Sequence, residues 1–187
     1  CRVWRKRGYR LGHLLDDFMF AAPTYEKACA MRDQVVADLE RWGWFVNFEK
    51  SQLNPAQCVR WIGVVINTVT MCFHVPGDKV EKLEKNLKVF LEDPTVHTYR
   101  DLARVAGKII SMGMAILPAR VMSREFFTLI RPSLHDWDER ILEDVSSVLR
   151  LMAWWLENLR VWNSVGAPIR PDYRMTQLRL WVDAGSN

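Results

Sequence analysis

The chain reads as an α+β fold, and three observations predict it. Residues 1–75 mix short β-like apolar runs with one segment of helical period, residues 77–162 keep a helical apolar repeat, and residues 163–187 form a loop leading into a last strand. The expected architecture is a partial antiparallel sheet with one packed helix over residues 1–76, a helical bundle over 77–162, and a linker with the first strand of a further domain over 163–187.

Composition narrows the class. With 187 residues, 49% hydrophobic and 26% charged, the chain is globular rather than disordered. The longest uncharged runs, Trp61–Phe73 and Ile109–Ala119, fall short of the ~20 apolar residues of a membrane span, and no leading apolar region signals secretion. No membrane association is expected. The net charge of +4 and the pI near 9.0 suit a polyanionic partner without demanding one. Cys1, Cys29, Cys58 and Cys72 have neither C-x-x-C spacing nor a histidine placed to complete a zinc site, so they read as reduced thiols in an intracellular protein of the nucleus or cytoplasm. An opening Cys1 and a closing strand, Leu180–Asn187, lead us to expect a piece of a longer polypeptide.

Taken in order, Tyr9–Leu15 and Phe18–Ala22 flank Asp16-Asp17 as the arms of a hairpin with an acidic tip. Thr24 is placed to cap a helix with Ala28, Met31, Val35, Val36, Leu39 and Trp42 on one face, stopped by Gly43. Strands are expected at Trp44–Phe48, Val59–Ile66 and Val69–Val75, with turns around Asn54-Pro55 and at Asn67-Thr68. Asp78 is expected to cap a helix to Glu92 carrying Val80, Leu83, Leu87 and Phe90 or Leu91 inward, and Thr98 the next, through Leu102, Val105, Ala106, Ile109, Ile110 and Met114 as far as Pro118. Gly107 and Gly113 inside that helix cost roughly 1 kcal/mol each, which suggests a close approach to the backbone. Two more helices are expected over Arg120–Ile130 and Asp138–Leu159, the latter with Trp154-Trp155 inward.

Adjacent carboxylates on a turn are commonly just solvated. They are also a natural Mg²⁺ site, because two close negative charges call for a cation. Context favours the second reading. Leu14-Leu15-Asp16-Asp17-Phe18 resembles the x-x-D-D signature of reverse transcriptases, with Leu14 where that family usually has tyrosine. After a helix come Gly43-Trp44-Phe45-Val46-Asn47-Phe48-Glu49-Lys50-Ser51, similar to the segment that follows the catalytic hairpin in retroelement polymerases, and Val59–Val64, which resembles the primer-grip hairpin. Thr98–Leu102 with Gly107-Lys108-Ile109 is similar to a thumb helix, and Trp181-Val182-Asp183-Ala184-Gly185-Ser186 resembles the first strand of a ribonuclease H domain. In flavour the chain is nearest to DIRS-like retrotransposons.

The resemblance implies the C-terminal palm and the thumb or connection of an RNA-directed DNA polymerase, a nucleotidyltransferase of a transposable element. Its implied partners are an RNA/DNA template-primer duplex and deoxynucleotides. Its implied chemistry is two-metal nucleotidyl transfer with two Mg²⁺ ions, Asp16 and Asp17 as catalytic metal ligands, Lys50 near the departing pyrophosphate, and Asp183 as the nuclease's first metal ligand. The family's third palm aspartate comes from an upstream strand, so these residues alone are expected to be inactive. Trp61, Ile62 and Gly63 would hold the primer end, or simply form a buried strand. Lys79, Lys82, Arg104, Gly107 and Lys108 would lie along the duplex. On Lys79, Lys82 and Lys85 the competing reading is a solvated face with Glu81–Lys85 and Glu84–Lys88 ion pairs. Lys50 reads equally as a surface lysine. The alternative for the whole chain is a co-opted, non-catalytic nucleic-acid or protein-binding module.

Overall fold

Hairpin chemistry organises the first part of the chain. In the computed structural model, which describes residues 1–130 and 136–169, β1 (Arg10–Leu14) and β2 (Asp17–Ala21) pair antiparallel, with Leu14 opposite Asp17. The expected acidic tip is the loop Leu15-Asp16, and Leu15 takes a φ of 51°, the positive value that tight hairpin loops place at their first position. A short helix that the sequence reading missed, α1 (Arg2–Lys6), precedes the hairpin and buries Trp4.

Helix α2 (Tyr25–Arg41) starts where expected, with the Thr24 hydroxyl accepting the Lys27 N–H at 3.3 Å, and ends before Gly43, whose φ of 78° few other residues tolerate. Val35 is buried on its inner face, and so is the carboxylate of Asp38.

Two expectations need correction in this unit. Trp44–Phe48 is not a strand: it is irregular and leads into a turn that Asn47 closes by accepting the Lys50 N–H at 3.1 Å, while Ser51 Oγ donates to the Asn47 carbonyl at 2.6 Å. β-Propensity describes fit to a covered, paired surface, and Trp44, Phe45 and Phe48 are exposed here. Val59–Ile66 is not one strand but two, β3 (Cys58–Trp61) and β4 (Val64–Asn67), joined at Ile62-Gly63 with φ values of 40° and 82°. Both positive angles belong to a primed turn, which the sheet's twist favours.

A second compact unit begins at Thr70. The expected strand Val69–Val75 is shorter, β5 (Cys72–His74), and it pairs antiparallel with β6 (Ala167–Pro168). Helix α3 (Gly77–Glu92) begins at Pro76 without a side-chain cap, so Asp78 is not the cap but sits in the first turn, where its charge suits the helix dipole. Val80, Leu83, Leu87 and Phe90 are buried as the period required. Helix α4 (Tyr99–Ser111) has the full capping box: Thr98 Oγ1 accepts from the Asp101 N–H, and the Asp101 carboxylate accepts from the Thr98 N–H.

Helix α4 stops at Ser111, earlier than Pro118. Met114, beyond that end, is exposed rather than in the core, and so is Ile110, which lies within α4 but beside the buried stripe of Leu102, Val105, Ala106 and Ile109 rather than on it. Gly113 has the close approach that its helical cost suggested, since a Cβ there would meet the Ile110 carbonyl at 3.1 Å, whereas Gly107 faces open space. The expected helix Arg120–Ile130 is broken by a kink at Met122 into a 3₁₀ turn, Val121–Ser123, and α5 (Arg124–Leu129).

Nor does a helix start at Asp138. Residues 136–139 instead make a turn, closed by the Glu139 amide on the Asp136 carbonyl at 3.2 Å, and Arg140 bridges Thr98 at the start of α4, whose Tyr99 and Arg100 amides donate to the Glu139 and Trp137 carbonyls at 3.2 and 2.8 Å. Those are orphan amides of a helix N-terminus, and satisfying them outweighs the local helical tendency of 138–145. Helix α6 (Ser146–Val165) follows, with the Asp144 carboxylate accepting the Ser146 N–H at 2.9 Å. It buries Val148, Leu151, Met152, Trp155 and Leu159, packing on α3 and α5, and Trp155 Nε1 donates to the Met122 carbonyl at 2.8 Å. The fold class is α+β, as expected.

Replacing Leu83, which is fully buried, with alanine is expected to cost about 2–5 kcal/mol. Thr98→Ala is expected to cost about 1 kcal/mol through loss of the cap. Chemical denaturation of the two variants checks both values.

Candidate functional site

The hairpin that carries the adjacent carboxylates rests on Trp4. This indole meets Phe18 and Phe20 of β2 edge-on, with ring centroids 5.6 and 5.4 Å away, and leans on Trp42 at the end of α2. Its Nε1–H donates to Asp38 at 2.9 Å. The Asp38 carboxylate is 1% exposed and accepts further bonds from Arg7, from Gln34 at 3.1 Å and from Arg41 at 3.2 Å. Burial pushes this carboxyl up, but the donors Trp4, Arg7 and Gln34 and the Arg7 charge outweigh it and hold the group below the usual aspartate range. One carboxylate thus joins α1, the turn after it and α2 beneath the hairpin.

At the tip of the hairpin, next to Phe18, Asp16 and Asp17 are exposed, as are His13, Leu14 and Leu15. An exposed pair can offer oxygen ligands to Mg²⁺, which commonly takes one or two carboxylates and completes its shell with water and substrate phosphate. Among the described residues no group of three or more His, Cys, Asp or Glu side chains is placed to hold a metal ion. Among the described residues, Asp16 and Asp17 therefore form no closed protein cage for a cation. Lys50 is exposed on the Asn47 turn. Trp61 is half-buried, and Ile62 and Gly63 form the tip of the β3–β4 hairpin. Asp183 lies outside the described residues.

In the second unit the structure brings together three of the predicted contact residues. Lys82 of α3 and Arg104 of α4 are exposed, and Lys108 of α4 is half-buried between them in charge. With the Asn86 side-chain amide turned so that its oxygen faces the Lys108 ammonium, that ammonium donates to Asn86 of α3, whose NH2 donates to the Lys82 carbonyl at 3.0 Å. Partial burial, then the charges of Lys82 and Arg104, lower the Lys108 pKa from the ordinary lysine value. Like charges held close are electrostatically unfavourable, and an anion relieves them.

Arg104 is partly offset by Asp101, 3.1 Å away. Lys79 is half-buried near the start of α3, and Gly107 is exposed beside Lys108. The expected Glu84–Lys88 pairing is corrected: Glu84 is held by Arg160 of α6 through two bonds of 2.6 Å. That arrangement turns Glu84 toward α6.

Sequence reading missed Trp4, Arg7, Asp38, Asn86 and Gly12. Asp38 left one signal, since it stands three residues after Val35 on the inner stripe of α2 with Arg41 a further three on. A carboxylate on a buried stripe demands partners.

Among the described residues no helix is long and apolar enough to cross a membrane. Comparison of the chain with known protein families, curated proteins and solved structures finds no match.

Lys82→Ala is expected to move the Lys108 pKa up toward the ordinary lysine value, read by NMR titration of the lysine side chains; an unmoved Lys108 would break the pairing of these charges. Because the folded Asp38 pKa is lowered, its contribution is full above the unfolded value of about 3.9 and is lost as pH falls through the folded value. Acid titration followed by tryptophan signals is expected to show the first unit loosening below that range, and less so in Asp38→Asn.

Proposed function

We propose that the chain is the palm and thumb portion of an RNA-directed DNA polymerase, in which Asp16 and Asp17 present Mg²⁺ to a nucleotide and Lys82, Arg104 and Lys108 hold the template-primer backbone. The observation that carries this reading is the Asp16-Asp17 pair, exposed at the tip of a hairpin that is anchored from below. Mg²⁺, when bound there, would supply the charge that stabilises the attacking and leaving oxygens of nucleotidyl transfer.

The chain's own residues have separate tasks in this scheme. Asp16 and Asp17 orient oxygen ligands toward the reacting phosphate. Lys50, on its exposed turn, neutralises charge near the leaving pyrophosphate. The half-desolvated Lys108 with Lys82 and Arg104 takes a phosphate of the duplex, and the open face of Gly107 lets a backbone approach α4. A two-metal palm needs a further carboxylate, which this reading takes from another strand of the parent polypeptide, with Asp183 opening its ribonuclease H domain. A second reading, a non-catalytic nucleic-acid-binding module, is favoured by the cationic cluster alone, because phosphate contact there needs no metal.

Two measurements separate them. Primer extension by the parent polypeptide is expected to fall by about 10²–10³ in Asp16→Asn, the scale of losing one preorganised electrostatic stabiliser; equal incorporation would remove Asp16 from the chemistry. Duplex binding by the chain is expected to show a salt slope reduced by about 1.8 in Arg104→Ala/Lys108→Ala, for two lost phosphate contacts. An unchanged slope would remove both residues from the interface.

A further inference from the structure

Within the first unit, Trp61 lies across β1 at Gly12. A Cβ on Gly12 would stand 2.6 Å from Trp61 Cη2, 3.1 Å from Cζ2 and 3.2 Å from Cζ3, so any side chain at this position must displace the indole. Glycine inside a strand weakens it and often marks a close approach of this kind. The same indole buries its Nε1–H with no hydrogen-bond partner among the described residues. An unconstrained tryptophan would turn that donor toward water or an acceptor. Two local disadvantages therefore coincide at one contact, and the contact is what they have in common.

Its position gives it leverage. Trp61 is the last residue of β3 and is followed directly by Ile62, whose φ of 40° is rare for a β-branched residue and leaves the turn little freedom. On the other side, Gly12 precedes Leu14 by two residues, about 7 Å along the strand, and Leu14 faces Asp17. The seat thus links the tip of one hairpin to the carboxylates of the other through a rigid ring.

We infer that Gly12 is a positioning residue: by leaving room for the Trp61 indole it sets the Ile62-Gly63 turn relative to Asp16-Asp17, and so places the 3′ end of a primer strand against the carboxylates. What is placed rests on the polymerase reading; the seat itself rests on the Gly12–Trp61 contact. An alanine at position 12 lifts the indole and shifts the turn. Phenylalanine at position 61 lacks the outer ring atoms that would collide, so it restores the fit.

The test uses the 187-residue chain and a duplex carrying 2-aminopurine at its recessed 3′ end, with backbone NMR of Ile62 and Gly63. In Gly12→Ala the two amide signals are expected to move and the terminal fluorescence change to be lost, with duplex affinity within about twofold. Both signals are expected to return in Gly12→Ala/Trp61→Phe. Failure of the second substitution to restore them, or a loss of affinity in step with the terminal signal, overturns the positioning role. If the native chain does not bind the duplex, the polymerase reading falls and the primer assignment with it. If it binds and Gly12→Ala matches it in both signals, the reading stands and the seat is wrong.

Discussion

A buried negative charge holds the first unit together. Asp38 is withdrawn from water on the inner face of α2, where an unpaired carboxylate would be prohibitively costly, so its partners are obligatory rather than incidental. Arg7 comes from the turn after α1, Trp4 from α1 itself, and Gln34 and Arg41 from α2. Satisfying one carboxylate therefore fixes Trp4, and Trp4 is the platform for Phe18 and Phe20 of the hairpin. The Asp16-Asp17 tip projects from a strand pair whose β2 is seated on Trp4 through Phe18 and Phe20. A small sheet with few strands has little core of its own, and this polar anchor supplies definition that apolar area alone would not.

The second unit follows a different constraint, the satisfaction of helix ends. Helix α4 uses Thr98 and Asp101 for one set of amides and the carbonyls of Trp137 and Glu139 for another. That demand holds residues 136–140 in a turn and a bridge beside α4, and α6 starts only at Ser146 and lies against α3 with Arg160 on Glu84. With α3 and α4 packed side by side, Lys82 and Lys108 share the Asn86 side chain. The cationic cluster is thus a by-product of ordinary helix packing, in which partial burial and then the charges of Lys82 and Arg104 lower the Lys108 pKa.

Legibility in the sequence followed the range of the interaction. Thr24, Thr98 and Gly43 announced their roles because caps act within one turn of helix, and the inward stripe of α3 showed because burial repeats with the helical period. The acidic hairpin tip was visible for the same local reason. By contrast, Trp44–Phe48 looked like a strand although no partner strand could be read from it, and Asn47 claimed the local hydrogen bonds instead. Asp138–Val145 has helix-forming residues, yet the carbonyls of Trp137 and Glu139 at its start answer to α4, some forty residues earlier in the chain. Of the candidate site, the individual charges could be read. The meeting of Lys82 with Lys108, the Asp38 anchor and the seat at Gly12 could not, because each is made by residues far apart in sequence.

The carboxylate hairpin owes its order to Asp38. Amide hydrogen exchange across Arg10–Ala21 in Asp38→Asn, compared with the native chain at neutral pH, tests it most directly. Protection of the hairpin amides is expected to fall together with that of α2, while α3, α4 and α6 keep theirs. Unchanged protection in the hairpin, with Asp38 neutralised, would contradict it.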